Sequence, residues 1–281
     1  SYEVSRAQSR DSKATVQDLK DTNEAVRRCR EKSTDGLLYK SQKAGSKVDW
    51  NTALMLTVTD SSFAQEKLYD EQGRESKNRS QKAIINALCS PDLLTGTEAD
   101  VHIINWQSVT NKRVCTSTLQ AEAHALMSGT DQGDRFRAII ASMRQKFDRT
   151  NWERSAHQTM KHVWLSDCNS LVTHLHNSND ARLENVCTAM DVSVLRQRLW
   201  LDADGEPYEE LPADKDASNV LRWIDTSVMI ADCLTKKMKA DALWPAMHGR
   251  LDLTPTPESV LTKMRKQKLR RKTADAEETV D

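Results

Sequence analysis

Long apolar runs are missing from this chain. Nowhere in its 281 residues do about 18 apolar residues follow one another, so no helical membrane span is expected, and no charged-then-apolar leader points to secretion. A net charge is missing as well: 41 Lys+Arg face 41 Asp+Glu. An anionic partner therefore has to be met by local patches, because no global field steers it. The six cysteines, Cys29, Cys89, Cys115, Cys168, Cys187 and Cys233, contain no Cys-x-x-Cys pair, and the histidines offer only His174-x-His176, which argues against structural zinc. A reducing intracellular compartment, cytoplasmic particle or nucleus, is expected, with the thiols acting as small core hydrophobes. There is no glycine-rich phosphate loop, no nucleophile elbow and no internal repeat, so three large classes of nucleotide-binding, hydrolase and solenoid proteins lose their usual signatures.

What is present is a chain longer than one typical domain of about 100 to 200 residues, which predicts one main domain with flanking pieces. It begins at Ser1 and is expected to be a fragment or processed piece of a longer chain. Residues 1–48 read as a helical segment: Val16, Leu19, Asn23, Val26 and Cys29 share a face, and Arg27, Arg28, Arg30 and Lys32 crowd the final turns, where cations suit the helix dipole. Gly45 and Ser46 mark the boundary before a main domain at 49–245. Residues 246–281 are expected to form a disordered tail, basic from Lys263 to Lys272 and then acidic at Asp275, Glu277 and Glu278.

Within the main domain, Leu54-Met55-Leu56-Thr57-Val58-Thr59-Asp60 reads as a strand ending in an acid. A polar stretch to Lys82 reads as a long turn. Ala83–Cys89 and Val101–Trp106 complete a meander, since the spacers are too short for a parallel crossover. From Thr118 to Phe147 the apolar spacing is helical, interrupted at Gly129–Gly133, with Ser117 or Thr118 as N-cap and Glu122 near its start. His162–Asp167 repeats the pattern of apolar strand and terminal acid. Cys168-Asn169-Ser170 then leads into a helix with Leu171, Val172 and Leu175 inward, and further helices are predicted over Leu183–Leu201 and from Thr226 or Ser227 onward, the last carrying Asp232, with a strand at Asn219–Ile224 between these two. Trp106, Trp164 and Trp223 are expected in the core. The order β-β-β-α-β-α-α-β-α describes an α/β fold, a mixed five-stranded sheet with helices on its faces.

Four segments resemble the ribonuclease H domain of copia-type retrotransposon polyproteins: Val58-Thr59-Asp60 at the first strand end, Ser117-Thr118-Leu119-Gln120-Ala121-Glu122 at the long helix, Ser166-Asp167-Cys168-Asn169-Ser170 after the fourth strand, and Ala231-Asp232-Cys233-Leu234-Thr235-Lys236. The last is the most specific. The resemblance covers residues 50–240, implies a ribonuclease H-like fold, and makes residues 9–40 similar to the closing helix of the preceding reverse transcriptase. No Tyr-x-Asp-Asp polymerase motif occurs. The chain departs from the family at Gln81-Lys82, where Gly-Tyr is usual, at Val109-Thr110-Asn111, and at Met190-Asp191-Val192.

The resemblance implies a two-metal endonuclease cutting the RNA strand of RNA:DNA hybrids. Asp60, Glu122, Asp167 and Asp232 would be its catalytic and metal-ligating acids, magnesium its ion with manganese as the substitute, and the reverse transcriptase portion of the same polyprotein its partner. Asp60 would bridge both ions, Glu122 and Asp167 completing one site and Asp232 the other. Electrostatics agrees: two unit charges ~4 Å apart repel by about 4 kcal/mol at an effective dielectric near 20, so clustered carboxylates need cations to stay ionised. Oxygen-only donors suit hard ions, and a pair of them can activate water and stabilise a leaving oxygen. Asn169, Ser170, Lys112 and Arg113 are the candidate substrate contacts, to 2′-hydroxyls and phosphates. Two rivals stand beside this reading: a retroelement remnant that binds nucleic acid or protein without cutting, and a related nuclease acting on DNA.

Overall fold

The computed structural model describes residues 2–9, 15–69, 75–177, 183 and 185–257. Three strands, β1 (Leu54–Tyr69), β2 (Glu75–Cys89) and β3 (Glu98–Thr110), run as an antiparallel meander. Two more, β4 (His162–Ser166) and β5 (Asn219–Trp223), join parallel to β1, and a short β6 (Arg250–Asp252) pairs antiparallel with β3. The sheet order is β5-β4-β1-β2-β3-β6. This is the mixed sheet that the sequence predicts, with six strands instead of five because β6 adds an edge strand beyond β3.

Helices cover both faces. On one side lie α3 (Thr118–Met143), α5 (Asn169–His176) and α6 (Val186–Leu199), burying Ala123, Leu126, Trp164, Leu171, Leu175, Leu195 and Leu221 together. On the other side Leu56, Val58, Ile85, Val163 and Leu165 pack against Met229, Ile230 and Leu234, around a four-residue helix α7 (Asp232–Thr235), and against Ala246 of α8 (Leu243–Met247). The central position of β1 follows from its residues: Leu54, Leu56 and Val58 face one layer, while Met55 packs with Ile140 of α3 on the other. Two helices precede the sheet, α1 (Tyr2–Ser9) and α2 (Val16–Glu31), the second opened by a capping box in which Thr15 and Asp18 bond reciprocally. α2 buries none of its residues, so the apolar face of Val16, Leu19 and Val26 stays open. The segment after it is tied to the sheet: Leu38 N–H donates to the Met247 carbonyl at 2.8 Å and the Tyr39 hydroxyl to the Ile103 carbonyl at 2.7 Å.

Several expectations are corrected. The long turn expected after Asp60 is largely strand: the β1–β2 ladder runs on through Ser61↔Lys82 and Ser62↔Gln81 to Tyr69↔Glu75, since backbone pairing needs no apolar side chains once a ribbon leaves the core. The helix predicted from Thr226 is broken into a 3-10 turn (Thr226–Val228), an extended step at Met229, and α7. Met229, Ile230 and Ala231, which span the break, are all buried. An unforeseen helix α4 (Trp152–Thr159) precedes β4. Of the tryptophans expected inside, Trp164 is fully buried, whereas Trp106 and Trp223 are 52% and 47% exposed. Cys89 and Cys115 are buried as small hydrophobes, but Cys29 and Cys187 are exposed. The basic stretch Lys263–Lys272 and the first residues of the N-terminal helical expectation, 10–14, lie outside the described residues.

Helix α3 is continuous through the predicted interruption because its two glycines are where it meets the sheet. A Cβ on Gly129 would lie 2.6 Å from Thr59 Cγ2, and one on Gly133 would lie 2.4 Å from the His162 ring. Gly133→Ala should therefore lose about 1 to 3 kcal/mol through overpacking, although alanine is intrinsically the better helix former by ~1 kcal/mol. Gly36→Ala, where nothing lies within 4 Å, serves as the neutral control in the same urea titrations. Equal or greater stability in Gly133→Ala would mean that α3 does not sit this close.

Candidate metal centre

Parallel pairing of β1 with β4 runs from Met55↔His162 to Val58↔Leu165. Carried two residues further, that register sets Asp60 opposite Asp167, just past the end of β4, where the two strands part. In open sheets this crevice beyond the carboxyl ends of neighbouring parallel strands is where ligands bind. The third acid arrives from above: Ser117 caps α3, its hydroxyl accepting from Gln120 N–H at 3.1 Å, and Glu122 follows in the second turn between Ala121 and Ala123, both fully buried. The small neighbours let α3 lie on the sheet, and Glu122 Oε1 accepts from the Ser61 backbone N–H at 3.1 Å.

The outcome is one cluster. Asp60, Glu122 and Asp167 each offer a carboxylate oxygen, all within 4.8 Å of one another. Asp232, the first residue of α7, stands beside this group: Lys236 Nζ lies 2.6 Å from Asp232 Oδ1 and 3.9 Å from Asp60 Oδ2. Thr235 donates its hydroxyl to Asp60 Oδ2, and Thr226 donates to Asp167 Oδ2 at 2.9 Å. Sequence reasoning does not single out Lys236, Thr235 or Thr226 as site residues; the first two belong to the Ala231–Lys236 signature, which is the available signal, while Thr226 gives none.

Burial raises the pKa of Asp60 to about 6; Lys236 and the Thr235 hydrogen bond pull it down, and Asp232 and Asp167 push it up. Glu122 is held well above the usual carboxylate range by burial and by the neighbouring charges of Asp60 and Asp167. Asp167 is raised by burial, with the Thr226 hydrogen bond opposing. Lys236 keeps its proton more firmly than a free lysine: burial works against the charge, but Asp60 and Asp232 outweigh it. Glu122 Oε2 is buried with no hydrogen-bond partner, which leaves one oxygen free to coordinate. An oxygen-only donor set, an unpartnered carboxylate oxygen and three mutually repelling acids fit a hard divalent cation.

The candidate substrate contacts are more dispersed. Asn169 and Ser170 are exposed at the start of α5, immediately after Asp167, and Ser170 Oγ lies 3.3 Å from Cys168 Sγ. Lys112 and Arg113 are exposed in the loop between β3 and α3, with Arg113 3.8 Å from Asp191 of α6. Asp191 also approaches His124 Nε2 at 2.7 Å, so a second buried polar pair joins α3 to α6. Among the described residues no helix is long and apolar enough to cross a membrane.

Solved structures similar to this chain include LC11-RNase H1 isolated from compost by a metagenomic approach, at 12% identity and a TM-score of 0.38 over 68% of this chain and 98% of that one. The same compost enzyme in complex with an RNA/DNA hybrid matches at 11% identity, TM-score 0.38, over 67% and 99%. A foamy viral protease-reverse transcriptase in complex with an RNA/DNA hybrid matches at 10% identity, TM-score 0.32, over 68% of this chain and 20% of that one. Likeness of this degree carries no residue-by-residue correspondence. No protein-family model and no curated protein matches the sequence.

A raised carboxyl pKa has a definite sign in stability. Asp60 binds its proton more tightly folded than unfolded, so its contribution is fully present below about pH 4 and is lost as pH rises through about 6. In chelator, Asp60→Asn should remove this loss and be more stable than the parent at pH 7, by up to about 3 kcal/mol at 1.36 kcal/mol per pKa unit. Its stability should also vary less between pH 4 and 6. Millimolar magnesium should raise the melting temperature of the parent and not of Asp60→Asn; equal shifts in both would place the cation elsewhere.

Proposed function

We propose that this chain is a divalent-metal endonuclease that hydrolyses the RNA strand of RNA:DNA hybrids, as the ribonuclease H-like portion of a copia-type retrotransposon polyprotein. The observation that carries this reading is the meeting of Asp60, Glu122 and Asp167 within 4.8 Å, from the interior of β1, the first turns of α3 and the residue after β4, which are far apart in sequence. Unrelated surface acids would not converge at a sheet crevice, largely buried, with an unpartnered oxygen. Magnesium or manganese bound there would supply an activated water and charge stabilisation for the leaving 3′ oxygen.

The chain's own groups have separable tasks in this reading. Asp60, which clusters with Glu122 and Asp167 and approaches the same Lys236 as Asp232, would be the ligand shared between two ions, with Glu122 and Asp167 on one side and Asp232 on the other. The Ser61 N–H fixes Glu122 by holding one of its oxygens, and Thr226 does the same for Asp167, so each carboxylate keeps one oxygen oriented for coordination. Asn169 and Ser170, exposed at the start of α5, would donate to 2′-hydroxyls, and Lys112 and Arg113 would contact phosphates. The reverse transcriptase portion of the same polyprotein would deliver the hybrid, and residues 1–48 would be its end.

A second reading has one observation in its favour. Lys236 already neutralises Asp232 at 2.6 Å and approaches Asp60, as expected of a remnant that keeps the fold and binds nucleic acid without cutting it. Labelled RNA:DNA hybrid incubated with purified protein separates the two. We expect magnesium-dependent cleavage of the RNA strand, reduced roughly a thousandfold in Asp60→Asn and in Glu122→Gln, since losing several kcal/mol of metal-derived stabilisation costs a factor of ten per ~1.4 kcal/mol. Binding without cleavage at any magnesium or manganese concentration would support the remnant, and cleavage of duplex DNA in place of the hybrid would support a DNA nuclease.

A further inference from the structure

A groove of about 1160 Å³ opens beside the acids, on the sheet face that α7 covers only in part. Its floor is Ile85 and Ile103, and Lys236, which reaches back to Asp60 and Asp232, forms part of its wall. Lys236 therefore borders both the groove and the candidate metal centre. Trp106 pairs with Ile85 across β2 and β3 and shares its face; with α7 only four residues long, its indole is left 52% exposed. Trp244 of α8 lines the same groove at 40% exposure.

Charge in the groove is unbalanced. Arg28, Lys32, Lys236, Lys237 and Lys239 line it against Glu3, Asp35 and Asp241. Arg28 is tied to Glu3 at 2.6 Å and Lys236 to Asp232. Lys32, Lys237 and Lys239 are exposed, and none of them makes an ion pair with a carboxylate among the described residues. Lys32 Nζ lies 5.4 Å from the centre of the Trp244 ring. Exposed lysines with no close ion pair, although Lys237 also acts on Glu24 from a distance, set among exposed indoles over an apolar floor, match an anionic chain that also carries flat rings, which is single-stranded nucleic acid: phosphates take the cations and bases stack on the indoles. An acidic peptide would use the lysines and leave the indoles idle.

We propose that this groove is a track for a single-stranded nucleic-acid segment that extends from a hybrid seated at the acids. The proposal rests on the hydrolase reading for the hybrid alone; the track has its own residues. Its test uses the full chain in chelator, with fluorescein-labelled oligothymidylate of about twelve nucleotides, enough to span one site of this kind, and anisotropy as the readout. Trp106→Ala with Trp244→Ala should weaken binding at least tenfold, while Trp106→Phe with Trp244→Phe, which keeps flat rings, should stay within threefold of the parent. Replacing Lys32, Lys237 and Lys239 by Gln should lower the slope of log affinity against log salt by about 2, at ~0.7 per phosphate contact on a single strand. Unchanged affinity in the alanine pair, an unchanged salt slope, or equal competition by polyglutamate would overturn the track. Hybrid cleavage is scored in parallel on a blunt-ended duplex, which these variants should cut at the parental rate. Groove-dependent binding without any hybrid cleavage would remove the hydrolase reading and keep the track. Cleavage with oligothymidylate binding indifferent to all these substitutions would remove the track alone.

Discussion

The distance between α3 and β1 governs where each part of the candidate site can stand. The helix comes within side-chain contact of the central strand only because Gly129 and Gly133 present no Cβ to Thr57, Thr59 and His162, and because Ala121, Ala123 and Ala125, buried on its first turns, are small. Beneath that contact lies a polar network. His162 stands between Asp134 at 3.2 Å and Thr57 at 2.7 Å, and the fully buried Arg137 bonds Asp134 at 2.9 Å and Asn219 at 3.1 Å. Burial drives the pKa of His162 down to about 4, with Asp134 resisting. Burial would raise Asp134, but its bond to His162 and the Arg137 charge hold it well below the usual carboxylate range. Buried ion pairs of this kind contribute little net stability, yet losing one partner costs several kcal/mol because the other is left uncompensated. The network therefore sets the seat of α3 on β1, β4 and β5, and with it the height of Glu122 above Asp60.

The candidate metal centre is built against its own folding. Three carboxyl groups are raised by burial and by neighbouring acids, so once they ionise the metal-free fold carries a cost that a proton or a bound cation relieves. Lys236 is the cation that the chain itself supplies, and it settles on the Asp232 side. The division is informative: the acids fixed by the sheet and by α3 cluster tightly, whereas the acid on the short α7 is held by Lys236, just past that helix's end.

Much of this arrangement is legible in the residues. Leu54–Asp60 and His162–Asp167 announce two strands carrying acids, and both strands stand with those acids at one crevice, although β1 runs on past Asp60 to Tyr69 and only β4 stops beside its acid. Ser117 or Thr118 announces the cap of a helix carrying Glu122; Ser117 is the cap, and the helix runs unbroken through the interruption expected at Gly129–Gly133. What is not legible has physical causes. The β1–β2 ribbon continues through polar residues because ladder hydrogen bonds are indifferent to side-chain type. The segment after Thr226 abandons helical form at Met229, whose backbone is extended, and no residue there announces the break. Trp106 looks like core, and its own residues do not reveal that the helix opposite it is only four residues long.

The sequence by itself determined the mixed α/β class, the placement of acids on two strands' apolar segments and near a helix start, the absence of zinc-binding spacing and of an apolar run long enough to span a membrane. These are local properties, set by alternation, capping and ligand spacing within a few residues. Tertiary structure alone decided which acids meet. Asp60, Glu122 and Asp167 come within 4.8 Å because parallel register and a glycine-permitted helix contact bring together segments separated by up to 107 residues. It also decided that Lys236 and Thr235 share the site, and that a lysine-lined groove with two exposed indoles opens beside it. Distances between remote segments depend on how closely elements can pack, and packing is a property of pairs of surfaces that no single stretch of sequence contains.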